Sequence, residues 1–253
     1  MTTLLCSPAF AGTDTPGTVT LLAAGSLRDA FTEINAAFRE QTGIAVEASF
    51  GPSGTLRSEI EGGAKVDVFA SAAVEQTRAL ADKKLLDGST TFAYNDLCIV
   101  SRPALGLDDT NWLDTLLKPA VRLATSTPGA DPMGDYTWDF FRKADRLRPG
   151  ALRQLDEKAL KLSGASAPAP GRKLPYVTAF EDGKADVYVM YCTNAASTKK
   201  SVPPLDVVRL PDAVNVRSAY GIGAAPASPH GRAFVAFVLG PAGKAILRRY
   251  GFD

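Results

Sequence analysis

Two rhythms of apolar and polar positions take turns along this chain. "TVTLLAAG" is a short strand-like run that empties straight into "SLRDAFTEINAAFREQTG". There Leu27, Ala30, Phe31, Ile34, Ala37 and Phe38 recur at helical spacing until Gly43 stops the pattern. "IAVEASFG" predicts the next strand and "SGTLRSEIEGG" the next helix, followed by the strand "VDVFASA" and the helix "AVEQTRALADKKLL". This βαβαβα run predicts an open, mostly parallel sheet with helices on its faces.

"FAYNDLCIVSRP" reads as one strand ended by Pro103, and a second alternating set follows. It comprises the strand "VRLATST", helices in "YTWDFFRKADRL", "ALRQLDEKALKL" and "VTAFEDG", and the strand "ADVYVMY". "SGASAPAPGRKLP" between them is a Ser/Ala/Pro/Gly loop. The strands "LDVVRLP" and "AYGIGAA" and the helices "HGRAFVAFVLG" and "GPAGKAILRRYGF" close the chain. The layout is one α/β lobe, an inserted second α/β lobe and a return: a tail over 1–17, lobe I over 18–97, lobe II over 98–209 and lobe I again over 210–253. No repeat, heptad or long charge run interrupts it.

At 253 residues, 45% hydrophobic and 22% charged, the chain can bury a core of ordinary size. Its 28 Lys+Arg against 27 Asp+Glu argue against a nucleic-acid partner, which needs a basic excess on one face. No apolar run reaches the roughly 20 residues of a membrane helix. "MTTLLCSPAFAG" ends in Ala9-Phe10-Ala11, a small-x-small pattern that fits a secretory cleavage site. It lacks a charged start, so it reads as a truncated leader of an exported, periplasmic protein, or else as a plain N-terminal tail. Without the leader's Cys6, Cys98 and Cys192 remain, each in or beside a predicted strand. A disulfide and two buried thiols are both open readings.

Chemistry is sought beyond the carboxyl ends of the strands, where helix N-termini leave amides without partners and favour an anion. Gly25-Ser26 follows the first strand and Ser53-Gly54-Thr55 the second. Each serine offers an N–H and a hydroxyl, so the pair can clamp an oxyanion without formal charge. The alternative is that both merely cap their helices. "GPSGT" has Thr55 where a nucleophile elbow needs glycine, and no P-loop lysine. The single histidine, His230, stands near a helix start, and nothing has zinc spacing. No catalytic constellation survives, so no enzyme is expected.

The stretch from "VTLLAAGSLRDAF" through "FGPSGTLRSEIEGGAKVDVFASA" resembles the N-terminal half of periplasmic molybdate-binding proteins of ABC transporters. "GKADVYVMYCTNA" and the ending "AYGIGAAPASPHGRAFVAFVLGPAGKAILRRYGF" are similar to that family's second-lobe strand and C-terminal stretch. The likeness is vague through 104–172. It implies a two-lobed type II periplasmic binding fold, each lobe a mostly parallel sheet flanked by helices, closing by a hinge on molybdate or tungstate. Delivery would be to an ABC permease, and the protein would be a monomer. The resemblance implies first-lobe serines at Ser26 and Ser53, a tyrosine hydroxyl at Tyr191, and backbone amides at Met133 and near Lys173. Cys192 and Asn194 depart from the family's usual Lys and Asp, and Lys173 or Arg172 beside a neutral site would favour a more highly charged anion. A different anion (phosphate-like, sulfate-like or an organic acid) and a sensor or adhesin that keeps the fold remain as alternatives. The hinges are expected near 93–100 and 205–212.

Overall fold

The computed structural model describes residues 17–167 and 172–253. The leader reading falls outside them. Strand β1 (Thr18–Ala24) lies inside a first sheet, parallel to β2 (Ala45–Gly51) on one side and β3 (Val68–Ser71) on the other. Its remaining strands are β4 (Thr90–Asn95) and β10 (Ser218–Ala224), in the order β2-β1-β3-β10-β4 with β10 antiparallel to both neighbours. The second sheet repeats the plan as β7-β6-β8-β5-β9, with β5 (Leu97–Ser101), β6 (Leu123–Ser126), β7 (Leu160–Ser163), β8 (Val187–Tyr191) and β9 (Asp206–Arg209). Here β6 runs parallel to β7 and β8 on its two sides, and β5 runs antiparallel to β8 and β9. Two five-stranded mixed sheets with flanking helices are the α/β fold class that the patterning implied.

Helix α1 (Arg28–Thr42) buries Ala30, Phe31, Ile34 and Phe38 and ends at Gly43, whose φ of 75° is a conformation that only glycine adopts cheaply. Phe31 and Phe38 meet Phe92, Phe234 and Phe237 edge to face, uniting α1, β4 and α9 (Pro229–Leu239). Such pairs add ~0.5–1.5 kcal/mol each beyond their buried area. In the second lobe, α5 (Pro132–Leu147) brings Phe140 and Phe141 to Trp112 of α4 (Trp112–Leu117) and to Trp138. The remaining helices are α2 (Ser53–Glu61), α3 (Val74–Asp82), α6 (Ala151–Lys158), α7 (Pro175–Glu181), α8 (Cys192–Ser201) and α10 (Pro241–Arg249).

Three local expectations need correction. "FAYNDLCIVSRP" is not one strand: the chain leaves the first sheet at Asn95 and enters the second at Leu97. At that break the Asn95 side chain accepts the Asp96 N–H at 3.1 Å. "ALRQLDEKALKL" is helical only to Lys158; its tail joins β7, an edge strand whose half-exposed residues carry no clear period. Helices α4 and α8 went unread, because α8 is built of small polar residues without an apolar stripe.

The second passage between sheets runs from Arg209 to Ser218. Asn215 ties it to the first: its side chain accepts the Leu97 N–H at 3.0 Å and donates to the Leu97 carbonyl at 3.2 Å. Arg209 pairs with Asp96 in the same place. Cys98 on β5 and Cys192 at the start of α8 are joined as a disulfide, with Cα atoms 4.8 Å apart.

Candidate functional site

Both sheets send the carboxyl ends of their central parallel strands toward one cavity. From the first lobe come Ala24-Gly25-Ser26 after β1 and Gly51-Pro52 after β2. From the second come Asp131 after β6, Ser163 and Gly164 at the end of β7, Tyr191 at the end of β8, and Tyr176 of α7. This is the topological switch point in each half, where open α/β sheets take ligands. The cavity measures about 60 Å³. A water needs about 10–15 Å³ by this kind of measure, so the space suits about four oxygen-sized atoms.

Ser26 lies in a single 3-10 turn, Gly25–Leu27, between β1 and α1. Neither the turn nor α1 takes a side-chain cap, so capping does not account for this serine. Its Oγ is 2.9 Å from the Tyr220 hydroxyl, which Asn95 Nδ2 also approaches at 3.3 Å. Tyr191 is 1% exposed, and its hydroxyl has no hydrogen-bond partner among the described residues. The nearby Ser218 hydroxyl donates to the Ala72 carbonyl at 2.6 Å. Burial pushes the Tyr191 hydroxyl well above its ordinary range, and Tyr176 and Tyr220 likewise. All three are therefore neutral donors at physiological pH. An orphaned phenol on a cavity wall is costly unless something fills the cavity.

The other expected residues lie differently. Ser53 begins α2 without capping it, but stands behind the cavity wall, where its Oγ accepts the Ala72 N–H at 3.1 Å. The Met133 side chain lines the cavity, yet its amide is turned to the Asp131 carboxylate at 3.4 Å rather than left for a ligand. The reason is local: Asp131 is the N-cap of α5, and a cap carboxylate claims the first-turn amides. Lys173 points away from the cavity, pairing with Glu181 at 2.6 Å, and Leu174, Pro175 and Tyr176 line the wall instead.

Three wall residues were missed. Arg28 opens α1, its guanidinium carbon 4.7 Å from the centre of the Phe50 ring and its Nε buried without a partner among the described residues. A cation at a helix N-terminus opposes the dipole, and that was a readable signal. Tyr176 accepts from Asn194 Nδ2 at 2.7 Å, which leaves its own proton to give. Asp131 reads in sequence as an ordinary cap before proline, and only the fold turns it toward the cavity. Desolvation pushes its carboxyl up to about 6.

These donors are of the kind that suits a small anion, and no base-and-nucleophile pair lines the cavity among the described residues. No group of His, Cys, Asp and Glu among the described residues has the geometry to hold a metal ion.

Two lobes of matching topology around a donor-lined cavity define a ligand-capturing receptor of the type II periplasmic binding fold. Residues 19–253 match the family described as bacterial extracellular solute-binding protein, and the chain belongs to that family. It is a solute-binding protein of the ABC-transporter kind and not an enzyme. Among its relatives is an uncharacterized protein of Pasteurella multocida (strain Pm70), 37% identical over 207 residues that cover 81% of this chain and 86% of that one. The molybdate-binding protein ModA of Escherichia coli (strain K12) is 29% identical over 247 residues, covering 93% and 89%. Among solved structures, the sulfate-binding protein SubI of Mycobacterium tuberculosis H37Rv superposes with a TM-score of 0.76 at 19% identity, covering 93% of this chain and 86% of that one. No helix among the described residues is long and apolar enough to cross a membrane.

Proposed function

We propose that the protein captures a small tetrahedral oxyanion between its lobes, in the periplasm, and delivers it as a monomer to an ABC permease. Molybdate or tungstate is the first reading, because relatives named for molybdate match nearly the whole chain. The observation that carries the proposal is the unpartnered, buried Tyr191 hydroxyl on the wall of a cavity of oxyanion size. Ser26 and Tyr191 donate from opposite lobes, Tyr176 adds a third hydroxyl, and Arg28 supplies the one positive charge among the described residues of the wall. Ser53 supports the first-lobe wall from behind. The first sheet with its helices and the second sheet with its helices are the two moving bodies, hinged at the passages beside Asp96 and Asn215. A ligand gripped by both bodies favours the closed form by its differential affinity.

Asp131 and Arg28 together favour a second reading, an oxyanion that carries a proton or an attached organic acid. Titration calorimetry with molybdate, tungstate, sulfate and phosphate tests both. Tight binding of the first two supports molybdate, tight binding of phosphate alone supports the second, and silence from all four overturns the oxyanion site.

A further inference from the structure

A carboxyl group on the wall of an anion cavity is an electrostatic contradiction. Asp131 is held there firmly. It caps α5, accepts the Ser126 hydroxyl at 2.5 Å, and packs so tightly over the β7 end that a Cβ at Gly164 would fall 2.8 Å from the Asp131 Cβ. No cation among the described residues offsets it. The charge that acts on it is that of Asp135, one turn along α5, and has the same sign. From β8 and β10 it faces the phenols of Tyr188, Tyr191 and Tyr220, and from α7 that of Tyr176, all neutral because burial raises them. Arg28 lines the first-lobe side of the same cavity but makes no ion pair with it.

Two hydrogen bonds leave this carboxylate with unused lone pairs, and desolvation already favours its protonated form. An oxyanion in the same cavity sets a second negative group beside it, and like charges that close do not both stay ionised. We propose that the cleft binds its oxyanion together with one proton, shared between the Asp131 carboxyl and an anion oxygen, so that the preferred ligand is an acid oxyanion that brings this proton with it. Hydrogen phosphate and phosphonate monoanions are of that class. Sulfate and molybdate, fully deprotonated near neutrality, enter only when Asp131 takes a proton from solvent. No bond other than that to the proton is made or broken. The proposal rests on the oxyanion reading of the cleft and deepens it.

The test is calorimetric titration of wild type and Asp131→Asn with sulfate, molybdate and phosphate. It is run at several pH values in two buffers of different ionisation enthalpy, which counts the protons taken up. For sulfate and molybdate the wild type is expected to take up about one proton per anion, and to lose affinity about tenfold per pH unit above about pH 6. Phosphate, in its hydrogen form, binds without that uptake. The variant loses both the uptake and the slope. A wild type that binds phosphate but stays silent toward sulfate and molybdate, which the variant binds, also supports the proposal, since the carboxylate is then the group that excludes them. A wild type silent toward phosphate that the variant binds overturns it. Binding by the wild type with no uptake and no pH slope overturns the proposal and leaves the oxyanion site standing, as does uptake that persists in the variant. Silence of both proteins toward all three anions overturns the site and the proposal with it.

Discussion

At the scale of single residues, the cavity separates side chains that line it from side chains that merely lie near it in sequence. Tyr191 hydroxyl is buried and unpartnered, so Tyr191→Phe removes a donor that nothing else uses. Hydrogen bonds to charged groups are worth ~1.5–3 kcal/mol, so calorimetry should show the bound anion held about ten- to a hundredfold less tightly, with the fold unchanged. Lys173→Ala is expected to leave affinity within about twofold, since this side chain is paired with Glu181 outside the cavity. Asp131 makes a pH prediction in the ligand-free protein. Its folded-state value, about 6, lies above its ordinary range, so its contribution to stability is present at low pH and lost as pH rises through about 6. Asp131→Asn keeps the cap but cannot ionise. It should melt higher than wild type above about pH 6, with the difference shrinking as pH falls toward the ordinary carboxylate range. Equal melting temperatures at all pH values would show that the carboxyl is not strained by its burial.

At the scale of elements, what matters is how closely α2 approaches the second lobe. The Gly54 amide, in the first turn of α2, donates to the Ala130 carbonyl at 3.1 Å, and a Cβ there would fall 2.7 Å from that oxygen. The glycine is therefore what lets the lobes meet. Gly54→Ala should leave each lobe folded but oppose closure by roughly 1–3 kcal/mol, the usual cost of overpacking. The measurement is anion affinity alongside small-angle scattering in the presence of ligand. An unaltered affinity would mean that this contact is not part of the bound state. "GPSGT" drew notice for its serine, but its glycine makes the contact across the cleft. Sequence could not distinguish the two, because a close approach between segments 76 positions apart leaves no local trace.

Over the whole molecule, the paired passages join the two lobes, and the disulfide staples the second lobe internally. Cys98–Cys192 closes a loop with a sequence separation of 94 and anchors the start of α8 directly after Tyr191. Chain-entropy reasoning assigns a loop of this length about 4–5 kcal/mol, and measured losses run about 2–5 kcal/mol. The Cys98→Ala/Cys192→Ala double variant is expected to unfold at lower denaturant by that order. It should also bind its anion more weakly, because Tyr191 is then positioned by packing alone. A variant as stable as wild type would show that the bond is a passenger of the second sheet.

Much of this protein was set by its sequence alone. The alternation of strand and helix periods declared two α/β units with a return, since each period follows from which face of an element must be buried. The Gly25-Ser26 junction was visible for the same reason, because a strand that empties into a helix N-terminus carries its own chemistry locally. Tertiary structure decided what depends on neighbours distant in the chain. Where "FAYNDLCIVSRP" breaks is fixed by two different sheets pulling on it, and β7 is a strand only because β6 is there to pair with it. Whether a serine faces a cavity or stands behind its wall is a matter of packing, and so Ser26 and Ser53, alike in sequence, separate in space. Asp131 is the sharpest case. A cap residue is written in local dihedral angles, but its charge acquires meaning only from the cavity that both lobes enclose.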